Sequence, residues 1–232
     1  PAVITIRTLR TAGIGESQID ARIGDLMTMS NPTVGLAAHA GQTDIRITAK
    51  GSSEEEAEAL IAPIEAELRQ RIGRWIYGVG TETVEEAVVA LLNQHEATVT
   101  SVEVGTHGTL YERLEQAAKD SPAMLKQGIT LDESAGLEAL GVDTGTEAQA
   151  MAKAAARAIR REQGTTYGVA VIFQHEEAKE QIGAAIAAAS EGHLMRRYFT
   201  WKAERPDAHV WATTHALAML RRMILRRKGE AS

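Results

Sequence analysis

The chain has 232 residues, of which 44% are apolar, enough for one large or two small buried cores. It contains no cysteine, which removes disulfides, thiol nucleophiles and cysteine-type zinc sites, and its formal charge of -6 argues against nucleic acid as a main partner. No apolar run of about 18 residues and no signal-peptide pattern is present, so the expectation is a cytoplasmic protein without a membrane partner.

Residues 2–10 are rich in β-branched side chains and predict a strand, broken at Gly13 and Gly15. Ser17 is placed to cap a helix with Ile19, Ile23, Leu26 and Met27 on one face, and Asn31 and Pro32 end that region. Val34, Leu36 and Ala38, then Ile45, Ile47 and Ala49, alternate on either side of Gly41 and Gln42, the pattern of a hairpin with one apolar face. Ser53 and Glu56 form a capping-box pair, and Ala57, Leu60, Ile61, Ile64, Leu68 and Ile72 carry a helical stripe to Gly73, with Pro63 inside it. Residues 1–78 are therefore expected to form a small α+β domain, three strands covered by two helices, and Gly78, Val79 and Gly80 read as a linker. Strand-like sequence follows Pro1 directly with no initiating methionine, so the chain reads as an excised piece of a longer protein.

A second domain, 79–232, opens with a helix capped at Thr81 or Thr83 and carrying Val84, Val88, Leu91 and Leu92. Residues 97–114 then read strand, glycine turn, helix: Thr98, Val99, Val102 and Val104 are β-branched, Gly105 and Gly108 mark the turn, and Leu110 and Leu114 begin a helical spacing. That shape suits an anion, because the first turn of a helix presents unpaired N–H groups and the positive end of its dipole. The side chains offered there are Glu103, Thr106, His107 and Thr109. A strand over 127–131 and a short helix over 134–140 follow, then a helix with Thr146 and Gln149 as its capping-box pair and a narrow stripe of Ala148, Met151, Ala152, Ala155 and Ile159. Residues 167–173 are the clearest buried strand. The alanine-rich run 184–189 has helical propensity, but Gly183, Ser190 and Gly192 leave too little length for a helix, so a strand paired with 194–201 is expected. Pro206 opens the last helix, with Val210, Thr213, Leu217, Leu220 and Ile224 as its buried face.

The residues Gly13, Ile14, Gly15, Glu16 and Ser17, then Asn31, Pro32, Thr33 and Val34, then Ile45, Arg46, Ile47, Thr48 and Ala49, then Ile76, Tyr77 and Gly78 resemble, in order and spacing, the middle region of the competence/damage-inducible CinA family. Leu91 and Leu92, Leu140, Gly141 and Val142, Met151 and Ala152, and Ala216 and Leu217 fall where that family's C-terminal domain, the seat of its nicotinamide-nucleotide amidase activity, has similar residues. Arg205 followed by Leu217 matches its last-helix pattern. The resemblance covers most of the chain. It implies an α/β protein in which a small α+β domain of KH-like topology, 1–78, precedes a three-layer α/β/α domain, 79–232. The family's N-terminal molybdopterin-binding-like domain would lie before Pro1.

The departures from the family fall at the chemistry. Where the family reads A-E-S-C-T-G-G, this chain keeps Glu103, Thr106 and Gly108 but has Val104 in place of the catalytic serine. In the segment that carries a tyrosine and the lysine that activates the serine, Leu131 and Gly136 stand instead. The glycine- and proline-rich loop that follows the buried strand is absent, since Phe173 runs into Gln174, His175, Glu176 and Glu177. Amide hydrolysis through a covalent intermediate needs a nucleophile, a group to take its proton and donors for the oxyanion. Backbone N–H groups of the 105–108 turn remain for the last of these, and the resemblance implies that Gly105, Thr106, Gly108 and Arg205 bind ligand.

Two functional readings stay open. One is an amidase-like domain without efficient activity, acting as a scaffold, a nucleotide-binding remnant or a support for the N-terminal domain. The other is a working nicotinamide mononucleotide amidohydrolase rebuilt around Thr106 as nucleophile, His107 as base and Glu103. Against the second, adjacent residues on a turn generally point apart, and the ordinary reading of Thr106 and His107 is a solvent-facing pair. The two glycines at G-x-x-G spacing could also bind phosphate, with a tight turn as the ordinary reading. The 13–16 turn has no G-x-x-G and no basic pair, so RNA binding is not expected of the first domain. His175, Glu176 and Glu177 read as a charged loop and His209 and His215 lie on different helix faces, so no metal site is expected. Arg196 and Arg197 point to opposite faces of their strand. Arg221, Arg222, Arg226, Arg227 and Lys228 offer either a contact for an acidic partner or a solvated tail. The partners expected are a pyridine nucleotide, the N-terminal domain and a second copy of the chain; no cofactor is expected.

Overall fold

The computed structural model describes residues 2–176, 180–202 and 205–227. The chain forms two compact units, Pro1–Val84 and Glu85–Ala231.

In the first unit, β1 (Val3–Ala12), β2 (Thr33–His39), β3 (Gln42–Gly51) and β4 (Ile76–Val79) build an antiparallel sheet in the order β2-β3-β1-β4. Helices α1 (Glu16–Ile23) and α2 (Glu54–Ile72) close one face. The alternation in the hairpin sends Ile45, Ile47 and Ala49 to that face, where they meet Leu9, Ile19, Ile23, Ile61, Leu68 and Ile72 in one core. Arg7 ties β1 to α2 through Glu58 and Glu65, each at 2.7 Å.

Local chemistry departs from the sequence expectation in three places. Gly15, rather than Ser17, is the N-cap of α1, because Gln18 reaches back to accept the Gly15 N–H at 3.3 Å and the Gly15 carbonyl accepts from Gln18 and Ile19. At α2, Ser53 accepts the Glu56 N–H at 3.2 Å as expected, but the Glu56 carboxylate closes on the Ser52 N–H at 2.6 Å. The supposed linker at 78–80 contributes to a fourth strand: Val79 pairs with Leu9 and Gly78 with Arg10, and Trp75, Ile76 and Tyr77 are buried beside them. Pro63 sits inside an unbroken α2, on its exposed side.

The second unit contains α3 (Val84–Gln94), β5 (Val99–Val104), α4 (Thr109–Ala117), β6 (Ile129–Leu131), a 3-10 turn (Ser134–Leu140), α5 (Ala148–Glu162), β7 (Tyr167–Glu176), β8 (Gln181–Ser190), β9 (His193–Lys202) and α6 (Ala208–Arg227). The sheet runs β6-β5-β7-β8-β9, parallel from β6 through β7 and antiparallel across β8 and β9. Helix α5 and the 3-10 turn cover one face, packing Met151, Ala152, Ala155 and Leu137 on Val102, Val104 and Ile172. Helices α4 and α6 cover the other, giving three layers. The small-residue stripe of α5 lets it approach closely, and a Cβ at Gly168 would run into the Ala156 carbonyl.

Ala184 through Ala189 do form a strand, and every one is at most 1% exposed. Helical preference costs only tenths of a kcal/mol per residue, whereas pairing with both β7 and β9 satisfies the backbone on each side. Two other details differ. Thr146 donates to the Asp143 carbonyl instead of capping α5, whose N-cap is Glu147. On α6, Thr213, Leu217, Leu220 and Ile224 are fully buried, but Val210 is 36% exposed because the buried face of the first turn passes through Ala208 and Ala212. No described helix is long and apolar enough to cross a membrane.

Candidate functional site

The turn after β5 is held by three left-handed residues, Gly105 (φ 72°), His107 (φ 56°) and Gly108 (φ 79°). Glycine at 105 is required twice over, since a Cβ there would stand 3.1 Å from that of Phe173. The Gly105 N–H donates to the Leu131 carbonyl at 3.0 Å, so the turn is pinned to β6.

Glu103, fully buried, occupies the N-terminus of α4. Its carboxylate accepts the N–H of Leu110 at 2.9 Å, the N–H of Tyr111 at 2.8 Å and the hydroxyl of Thr106. The Thr109 N–H and hydroxyl both donate to the Thr106 carbonyl. The first-turn donors that a sequence reader would offer to an external anion are thus engaged by the chain's own carboxylate. Thr106 is buried and committed to Glu103, while His107 is exposed, and among the described residues no hydrogen bond joins the two.

Val104, Leu131 and Gly136 come together. Val104 is paired in register with Leu131 on β6 and Ile172 on β7, and at 1% exposure its side chain lies in the α5 core. A Cβ at Gly136 would stand 2.8 Å from a Leu131 methyl, so Leu131 fills the space that a longer side chain at 136 would use. These three positions present hydrocarbon and backbone only, with no nucleophile and no base. Arg205 lies just before α6, exposed and paired with Asp207 at 2.7 Å, which holds the Asp207 carboxyl below its ordinary range. Among the described residues no hydrogen bond or ion pair links it to the 105–108 turn.

Phe199, Trp201 and Trp211 carry no role in the sequence expectations, yet with Phe173 and His215 they form a continuous ring cluster. His215 is neutral, its pKa pushed down to about 3 by burial and then by Arg197 and Arg222. The alternation of Phe199 with Trp201, and the helical spacing of Trp211 with His215, were the available signals. Arg113 on α4 makes two bonds to Glu85 of α3 and one each to the hydroxyls of Thr213 and Thr214 on α6.

Of the other candidates, His175 is exposed, the Glu176 side chain and Glu177 lie outside the described residues, and no metal-holding group of His, Asp and Glu occurs among the described residues. Arg196 and Arg197 are both exposed; Arg197 lies 5.9 Å from the Phe199 ring. Arg221 and Arg222 are half-buried rather than part of a solvated tail, and burial lowers the Arg221 pKa. Arg226 is exposed, and the Arg227 side chain and Lys228 lie outside the described residues.

Residues 6–78 match a family model described as the damage-inducible protein CinA KH domain. A CinA-like protein of Frankia casuarinae is 34% identical over 238 residues, an alignment covering 97% of this chain and 55% of the relative. A putative competence-damage inducible protein of Clostridium perfringens is 33% identical over 232 residues, covering 95% and 56%. The chain thus spans about half the length of these curated relatives. Among solved structures, a competence-damaged protein (CinA) superfamily member from Escherichia coli superposes with a TM-score of 0.53 at 18% identity, covering 60% of this chain and 88% of that one, which is a likeness of fold.

Proposed function

This chain belongs to the CinA family, and we propose that within it the 79–232 domain is an amidase-like domain that holds a pyridine nucleotide without hydrolysing it efficiently. The observation that carries the proposal is the burial of Val104 beside Leu131 and Gly136, three positions that the resemblance assigns to the family's catalytic serine, tyrosine and lysine. Hydrolysis of the carboxamide requires an atom with a lone pair to attack the carbonyl carbon, a base to take that atom's proton, and donors for the developing oxyanion. Valine supplies no such lone pair, and Gly136 has no side chain to act as a base. Losing either member of such a unit removes most of the catalysis. The first domain, 1–78, acts in this proposal as a support, in a cytoplasmic, self-associating protein that works with the N-terminal domain implied by the family.

A second reading, hydrolysis by Thr106, is favoured by one contact, the hydroxyl of Thr106 donating to the Glu103 carboxylate. That carboxylate also holds two backbone N–H groups and Thr106 is fully buried, so the contact serves the turn and keeps the hydroxyl from a substrate. The test is ammonia release from nicotinamide mononucleotide with enzyme in excess. The expected result is no release above the protein-free rate; release that disappears in Thr106→Ala would establish the second reading.

A further inference from the structure

Along its first half, strand β1 has a neighbouring strand on one side only. It pairs with β3 from Val3 to Ala12, whereas on the other side β4 meets it only at Leu9, Arg10 and Thr11, and the Gly80 N–H donates to the Thr8 carbonyl at 2.8 Å. Backbone groups of alternate residues point to the same side of a strand, so Ile4 and Ile6 turn theirs as Thr8 does, toward the side that β4 does not reach. Among the described residues no backbone bond meets them there. The same two residues send their side chains to the sheet face opposite the helices, where Ile4 is 64% and Ile6 57% exposed, more than any other large apolar side chain among the described residues.

An open apolar edge pairs with another chain unless charge, proline or a covering element blunts it. Arg7, the one charged residue from Val3 to Arg7, points to the helix-covered face, where Glu58 and Glu65 each hold it at 2.7 Å. An antiparallel copy of the same segment is self-complementary. With Thr5 of each copy beside a two-fold axis, Ile4 lies opposite the partner's Ile6 and exchanges both backbone bonds with it, and Ile6 does the same with the partner's Ile4. Val3 then faces the partner's Arg7, so no like charges stand opposite one another. Gly80, bonded to Thr8, blocks a register shifted toward the carboxyl end of the strand.

We propose that Val3–Arg7 of β1 is a docking edge for a second copy of this chain, the two first-unit sheets joining through antiparallel β1 strands with Ile4 and Ile6 of both copies packed side by side. Resting on the self-association proposed above, this names the surface that carries it. The joint is short and lies at the small end of specific interfaces, so the dimer it makes is a weak one in exchange with monomer.

The test is sedimentation equilibrium of the parent chain and two double variants, all shown to be folded by circular dichroism. Ile4→Lys with Ile6→Lys sets like charges opposite one another in both cross-strand pairs and should weaken the dimer by about tenfold or more. Ile4→Lys with Ile6→Glu sets opposite charges in the same pairs and should associate clearly more tightly than the first variant. A first variant that dimerises as tightly as the parent would overturn this edge and leave self-association to another surface. A second variant no tighter than the first would overturn the antiparallel pairing of Ile4 with the partner's Ile6. A parent chain that is monomeric at every concentration would overturn the self-association reading and this inference with it.

Discussion

Glu103 accepts the backbone N–H of Tyr111 at 2.8 Å, so that a carboxylate at the end of a strand caps the helix that follows the turn. Three donors depend on that group. Glu103→Ala should cost about 2–4 kcal/mol in urea unfolding, because buried charge-assisted bonds are lost together. Hydrogen exchange at the Leu110 and Tyr111 amides should accelerate selectively. A loss under about 0.5 kcal/mol would mean that the helix is held by other means.

Arg113 joins α4 to α3 and α6 in one half-buried network. Arg113→Leu leaves the Glu85 carboxylate without this partner and should destabilise by about 3 kcal/mol. Adding Glu85→Leu should restore much of that loss, because the uncompensated charge is removed as well. Additive losses in the double variant would show that the pair is not coupled.

His215 gives stability a defined pH dependence. Its pKa is about 3 in the folded chain against an ordinary 6.5, so between these values the unfolded chain binds the extra proton. The stabilisation is fully present above pH 6.5 and is lost as pH falls toward 3. Between pH 7 and 5 the parent should lose about 2 kcal/mol more than His215→Phe. Denaturant unfolding at both values checks this, and equal losses would place the imidazole in a solvated environment.

Leu131 and Gly136 compete for one space. Gly136→Ala should destabilise the parent by about 1 kcal/mol and cost much less in a Leu131→Ala background, a coupling that a double-mutant cycle measures. The proposed register predicts that Val104→Ser, Gly136→Lys and Leu131→Tyr together, which restore the three positions the resemblance assigns, allow ammonia release from nicotinamide mononucleotide, measured against the parent chain.

How far the sequence could be read depended on whether the deciding contacts were local. The hairpin of Ile45 and Ile47 and the buried faces of α2 and α6 follow from periodicity, and the flanking glycines overrule propensity at 184–189. Strand β4 escaped notice because it is four residues long and its pairing with β1 is remote in sequence. The role of Glu103 could not be read because it needs the turn to bring residue 103 back upon 110 and 111. The crowding of Gly136 by Leu131 likewise depends on the path of the segment between them, and the stacking of Phe173 with Trp201 spans an intervening strand of alanines.

NMR of nicotinamide mononucleotide mixed with an equimolar amount of the parent chain decides whether the nucleotide is held without being hydrolysed. Broadened or shifted pyridinium proton signals that persist unchanged in chemical identity over hours are the expected result of binding without turnover. Conversion of those signals to those of nicotinic acid mononucleotide, at a rate proportional to protein, would contradict it.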